Sequence, residues 1–441
     1  MPLSRILRLP DLVLLIVGAV IGSGIFLVPA AVLRQLGGRL DIAVLAWVVG
    51  GLLSLLGALT YAELSAQKPQ AGGLYIYIRD CFGTFPAFLY GWALFFVLCG
   101  GSVATLSVAF GTYFAQLVPI TPVATKIVSV LMIVVVAVIN VRGTRQSSDV
   151  QNWTTGIKLL AVVGLGTALL WAGGGLRHAP YPSLHADSSL VSGFGLAMIS
   201  VLWAYEGWQY CTFSAGETRD PQKNLPRAFL IGTVLIIAVY VLANIGYAAA
   251  LGGRAAESDS IAASATAAVF GPAASKLISI IILVSTFSAA NSFILTSTRV
   301  YYAMAADGIF FRRLADLHPR FGTPAFSVIS GAAWSAVLAA TGTFEQLLTY
   351  VVFSGWIFYA LGAACVFVYR RRTPDASRPY SVPGYPWTPI LFIAAAVALV
   401  LNTMLGEPRR AFLGLSIVLL GAPAFFIWSA RKKAKTLDVY S

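Results

Sequence analysis

Three polar groups stand inside long apolar stretches of this 441-residue chain, and each can bind an ion or a charged solute. Ser23 lies between Gly22 and Gly24, in the run from Gly18 to Pro29. Lys158 lies in the run from Trp153 to Leu160, and Glu206 stands beside Gly207 in the run from Leu202 to Gln209. An ionisable side chain in an apolar span usually faces a cavity or a partner, and it marks a candidate site. The Gly22-Ser23-Gly24 triplet offers a different device. Glycine inside a helix costs about 1 kcal/mol against alanine, so three weak helix formers in a row should open the backbone. Opened backbone at bilayer depth is tolerated only where it is buried in protein or lines a polar cavity. Its free N–H groups suit an anion and its free carbonyls suit a cation. The chemistry is recognition of a solute. No phosphate-binding Walker loop and no His or Cys cluster is present, so neither catalysis nor a cofactor, metal or nucleotide site is expected.

The composition sets the elements that must position these groups. Apolar residues make up 58% of the chain and charged residues only 11%, against about one quarter in a soluble domain. A polytopic all-α membrane protein follows. Cys81, Cys99, Cys211 and Cys365 have no metal-ligand or CxxC spacing. The net charge of +13 is better explained by topology than by nucleic acid, since no soluble domain presents a basic face. The first apolar segment runs into the glycine break and Pro29 without a small-residue cleavage site, so no cleavable leader is expected.

Twelve apolar segments can be delimited, each near the roughly 20 residues that span a bilayer. They are 12–35, 41–66, 84–117, 124–141, 153–172, 191–215, 226–251, 272–305, 325–341, 345–368, 388–405 and 411–430. Twenty lysines and arginines fall in one alternate set of loops and eight in the other. That places both termini in the cytoplasm by the positive-inside rule. The basic cluster Arg370-Arg371-Arg372 is read as part of this topology signal, with a lipid headgroup site as the alternative.

The break at Gly22–Gly24 is in segment 1, and the Glu206-Gly207 interruption is in segment 6. Interrupted helices at corresponding positions of two halves point to an inverted-repeat transporter. Residues 12–172 and 191–368 would be the two repeats, and 388–430 two additional helices, within one transmembrane unit over 1–441. Glycine notches for close helix packing are the alternative. They explain glycine but leave Ser23, Glu206 and the five-segment offset without a cause.

Gly22-Ser23-Gly24-Ile25-Phe26 resembles the amino acid–polyamine–organocation transporter superfamily. So does Gly216-Glu217-Thr218-Arg219-Asp220-Pro221-Gln222-Lys223-Asn224-Leu225-Pro226-Arg227-Ala228. Trp203-Ala204-Tyr205-Glu206-Gly207-Trp208 and Arg378-Pro379-Tyr380-Ser381-Val382-Pro383-Gly384-Tyr385-Pro386 narrow the resemblance to its L-amino acid transporter family, especially bacterial members. The resemblance implies twelve transmembrane helices in a LeuT-type five-plus-five inverted repeat with discontinuous helices 1 and 6. It implies amino acid transport by alternating access in the inner membrane. Animal members attach to a glycoprotein through a cysteine between segments 3 and 4. Here Val118–Thr125 has no cysteine, so no disulfide-linked heavy subunit is expected.

The resemblance also implies roles. The substrate carboxylate would meet Ser23 and the N–H groups of Gly24 and Ile25. Its ammonium would meet carbonyls of Val20 or Ile21 and of Trp203, Ala204 or Glu206. Trp203 would be a lid toward the outside, and Tyr205 either a cavity wall or an aromatic packed between helices. Lys158 would put its ammonium where sodium-coupled relatives hold sodium, bridging segment 1 to segment 8. Asn291, in the polar run from Ser285 to Ser292, would partner Lys158 or line the cavity. Arg299 would serve a cytoplasmic gate or packing. Phe353, Ser354 and Gly355 fall where the family shapes side-chain selectivity. Glu206 has three open roles: a partner for a cationic substrate, a group that binds and releases a proton, or a strut to a neighbouring helix. A permanently charged Lys158 would make a sodium-independent exchanger of neutral L-amino acids, whereas one that releases its proton would allow proton symport. A carrier of cationic amino acids or polyamines is the rival within transport. A non-transporting amino acid sensor would need a soluble output domain, and a channel would not need paired breaks.

Overall fold

The computed structural model describes residues 5–174, 190–258, 260–406 and 408–428. Arg177 and the basic run 431–435, both counted in the topology argument, lie outside them. Among the described residues the structure is helical, with one isolated parallel bridge between Leu7 and Thr218.

The helices are α1 (Leu9–Val20), α2 (Gly24–Gln35), α3 (Leu40–Gln67), α4 (Leu74–Phe82) and α5 (Thr84–Leu117). Next come α6 (Pro122–Arg142), α7 (Thr144–Ala172), α8 (Leu190–Ala204), α9 (Pro221–Leu251) and α10 (Ile261–Phe270). The last are α11 (Pro272–Ala306), α12 (Ala325–Thr341), α13 (Phe344–Arg372), α14 (Trp387–Gly406) and α15 (Pro408–Leu419), which continues as helix over 421–428 to make one span, Ala411–Trp428. Proline opens α6, α9 and α11, where its missing N–H forfeits no intrahelical bond. Thr121 caps α6 by accepting from the Ala124 N–H at 3.2 Å.

Nine helices among the described residues are long and apolar enough to cross a bilayer, and α1 with α2 makes a tenth span bent by 45°. On α6, Ile127, Leu131, Val134, Val135 and Val138 are all exposed at helical spacing. A continuous aliphatic stripe on the outside is out of place in water and suits lipid. The molecule is therefore an integral membrane protein. Its interior carries the polar groups instead: Lys158, Ser23, Gln151, Ser285 and Asn291 are fully buried.

Two expected boundaries differ. α7 begins at Thr144, nine residues ahead of the apolar segment, because the polar stretch up to Asn152 continues the same helix. α9 begins at Pro221 for the same reason. The bundle is built from pairs: α3 packs on α9, α5 on α11, and α6 on α12. The outer half-helix α2 packs on α8.

Candidate functional site

The chain opens at both glycine-marked places. α1 ends at Val20 and α2 begins at Gly24, with Ser23 at its start. α8 ends at Ala204, turns through Tyr205-Glu206-Gly207, and resumes as a 3-10 helix over Trp208–Glu217. So long a 3-10 stretch is uncommon and marks a strained or hinged segment. The two breaks press on each other. A Cβ on Gly24 would come within 2.8 Å of Ala204 Cα, and one on Gly207 within 2.9 Å of the Ala19 carbonyl carbon. Gly207 also holds φ at +128°, which a side chain would resist.

Between the breaks lies a cavity of about 10 Å³, room for one water molecule. Ser23, Gly24, Val20, Trp203, Ala204 and Glu206 line it, together with Ala19, Gly22, Leu106 and Phe293. Ser23 Oγ is buried and has no hydrogen-bond partner. The Gly24 and Ile25 N–H groups begin α2 and so have no intrahelical acceptor. An unsatisfied hydroxyl beside unsatisfied N–H groups forms an anion cradle without net charge.

The carbonyl side is more occupied. Lys158 Nζ donates to Gly18 O at 2.7 Å and Ile21 O at 2.5 Å, with Ser285 O at 3.5 Å. Ser285 Oγ lies 3.0 Å from both Ile21 O and Gly22 O. The lone pairs of Ile21 O are thus taken up by the protein. Tyr240 on α9 places its hydroxyl 2.9 Å from Val20 O and 2.9 Å from Ala204 O, tying the two breaks together. Trp203 O accepts from the Glu206 N–H at 3.0 Å.

Glu206 Oε1 accepts from Gln209 Nε2 and from the Tyr359 hydroxyl, both at 2.5 Å. The carboxylate therefore braces the second break against α13. Tyr205 points away from the cavity: its hydroxyl donates to Trp47 O at 3.1 Å and its ring packs on Trp47 and Tyr240. Asn291 does not reach Lys158. It belongs to a buried network with Asn140, Ser147 and Gln151, which joins α6, α7 and α11. Phe353 and Ser354 are buried beside Gly414 of α15, and Gly355 lies against Tyr359. These three do not line the cavity in this conformation.

Below the cavity, Arg299 binds Glu217 through Nε at 2.7 Å and Nη2 at 3.2 Å, and Nη2 donates to Thr144 Oγ1 at 2.8 Å. Glu217 O also accepts from the Ile6 and Leu7 N–H groups at 2.8 and 2.9 Å. The segment before α1 is thereby clipped to the end of the 3-10 helix. Arg370, from the basic cluster, is engaged too: it forms a two-pronged pair with Glu63 at 2.8 and 2.7 Å.

Leu106, Phe293 and Tyr240 were invisible in the sequence. An apolar wall residue in an apolar helix carries no mark, and Tyr240 is one of eighteen tyrosines. Lys158 and Glu206 were visible because a charge is costly where they stand, and Ser23 because it lies between two glycines inside a span.

Fold and site define a helical integral membrane protein with a small polar cavity between two broken spans. The sequence pattern of the amino acid permease family covers residues 7–423, and the chain belongs to that family. It is 33% identical to the serine/threonine exchanger SteT of Bacillus subtilis over 422 residues, covering 95% of each chain. It is 30% identical to the human large neutral amino acids transporter small subunit 2 over 442 residues, covering 95% of this chain and 80% of the relative. It is 29% identical to the human cystine/glutamate transporter over 420 residues, covering 94% and 83% respectively.

Proposed function

We propose that the chain is a sodium-independent exchanger of neutral L-amino acids that works by alternating access. It would have twelve spans in a LeuT-type inverted repeat, both ends cytoplasmic, and lie in the cell inner membrane. Two more spans would bring the ten to twelve. One is α8 with the 3-10 helix, which no single-helix criterion recognises. The other is α12, which is 17 residues long. The repeat is supported by the pairing of spans 2, 3 and 4 with the spans five later in the chain.

The observation that carries the function is the pairing of an anion cradle that no protein group satisfies with a cation position taken by the protein's own ammonium. Ser23 Oγ is buried without a partner, while Lys158 Nζ sits among carbonyls of α1 and α11 where a bound cation would be held. Ser23 and the Gly24 and Ile25 N–H groups would take the substrate carboxylate. The Ala204 and Glu206 carbonyls would take its ammonium, and Val20, Ile21 and Trp203, whose carbonyls already accept from the protein, contribute by shaping the break. Trp203 would be the outer lid, with Phe353, Ser354 and Gly355 a selectivity wall reached when the cavity enlarges. Glu206 would be a strut, given its bonds to Gln209 and Tyr359. The neutral substrate class rests on the relatives, two of which are named for neutral amino acids.

Purified protein in liposomes should take up labelled serine or leucine only when unlabelled amino acid is loaded inside. A sodium gradient should not drive uptake. Uptake into empty liposomes that follows a sodium gradient would overturn the exchanger reading. Preferential uptake of arginine or putrescine would replace the substrate class.

A further inference from the structure

At the start of α7 lies a second cavity, about 300 Å³, within the range of small-ligand clefts. Its wall brings Arg142, Arg145 and Arg320 together with Thr144, Gln146 and Glu217. Glu217 is neutralised by Arg299, and Arg145 is held by Asp149 at 2.8 Å. Arg142 and Arg320 have no side-chain acceptor among the described residues, and Arg320 lies over the Phe321 ring at 5.5 Å. The cavity therefore carries a positive surplus.

The start of α7 adds donors. Its N-cap is Gly143, which has no side chain to cap with. The Thr144 hydroxyl, next in line, is committed to Glu217 and Arg299. The N–H groups of Thr144, Arg145 and Gln146 thus begin a helix with no intrahelical acceptor and border the cavity. Guanidinium forks and helix-start N–H groups are the two partners that best fit a phosphate. The cavity also sits where two spans meet, at the end of α6 and the start of α7.

We propose that this cavity is a phosphate-binding site, taking either the headgroup of an acidic phospholipid or free inorganic phosphate. Four pieces of chain meet there: the segment before α1, the α6–α7 turn, the end of the 3-10 helix, and the loop at Arg320–Gly322. A bound phosphate would hold them together and favour the conformation closed on this side.

The test measures thermal stability of the purified full chain. One arm titrates sodium phosphate against sodium chloride at matched ionic strength. The other compares nanodiscs of phosphatidylcholine with nanodiscs containing phosphatidylglycerol. Phosphate, phosphatidylglycerol, or both should raise Tm, and R142Q/R320Q should lose at least half of the rise. R312Q/R313Q removes the same charge from exposed arginines that do not line the cavity and should keep it. A response to inorganic phosphate alone identifies a free anion; a response to phosphatidylglycerol alone identifies a headgroup. The proposal is overturned if R142Q/R320Q responds like the parent, or if R312Q/R313Q loses the response equally. Should R142Q/R320Q not fold, R142K/R320K decides. It keeps the charge but not the fork, so an undiminished rise overturns the proposal. The site is separate from the cavity between the breaks, so this result and the liposome result stand or fall independently.

Discussion

At the residue scale, Ser23 is the sharpest test of the carboxylate cradle. Its hydroxyl is buried and makes no bond to the protein, so its removal deletes nothing that holds the fold. A hydrogen bond to a charged group contributes about 1.5–3 kcal/mol. Ser23→Ala should therefore weaken substrate affinity about ten- to hundredfold, since each 1.4 kcal/mol is about tenfold. The Tm of the free protein should stay close to the parent's. Competition for exchange in liposomes measures the first quantity and a thermal melt the second; unchanged affinity would remove Ser23 from the site. Lys158 and Glu206 were legible in the sequence through the cost of charge in an apolar span, and Ser23 through the two glycines that flank it. Their partners were not. Gly18 and Ile21 serve Lys158 through carbonyls, which every residue has. Tyr205 and Tyr240 look alike in sequence, yet only Tyr240 bridges the two breaks while Tyr205 packs against Trp47.

At the element scale, the two breaks close the centre and the Arg299–Glu217 clasp closes the end of the 3-10 helix. Both partners of the clasp are almost wholly buried. Removing one partner of a buried pair costs about 3–5 kcal/mol, because the other charge is left uncompensated. If the clasp belongs to a gate, that cost falls on the closed conformation and the open one gains population. Cys211 lies in the 3-10 helix and is buried. Glu217→Gln should raise the rate at which N-ethylmaleimide labels Cys211 at least tenfold, about the effect of 1.4 kcal/mol. A lower Tm with unchanged labelling would make the clasp a structural tie. The spans themselves were legible because hydropathy reports apolar length. Their true starts were not, since α7 and α9 extend as polar helix beyond the apolar run. Short helices such as α4 and α10 escaped for the opposite reason, each being too short to show a period against its surroundings.

At the scale of the whole molecule, the five-plus-five reading stands on two spans that length alone does not secure. α8 has 15 residues before its break and α12 has 17, whereas a straight span needs about 20. Both can cross only with help: α8 from the 3-10 continuation, α12 from the loops around it. If either fails to cross, every later loop changes sides. The excess of lysine and arginine in alternate loops would then be split between the two faces, against the positive-inside rule. Reporter fusions resolve this directly. Fusions ending after Lys223 and after Arg320 should be active as cytoplasmic reporters, and those after Gly174, Arg254 and Gly342 as external ones. Gly174 and Lys223 on the same side would remove span 6, and with it the second break as a membrane feature. Arg320 and Gly342 on the same side would remove span 9 and leave the second half one crossing short. Only alternation at all five positions agrees with the proposed inversion of the two halves, under which the start of α2 and the end of α8 would meet around Ser23 by symmetry.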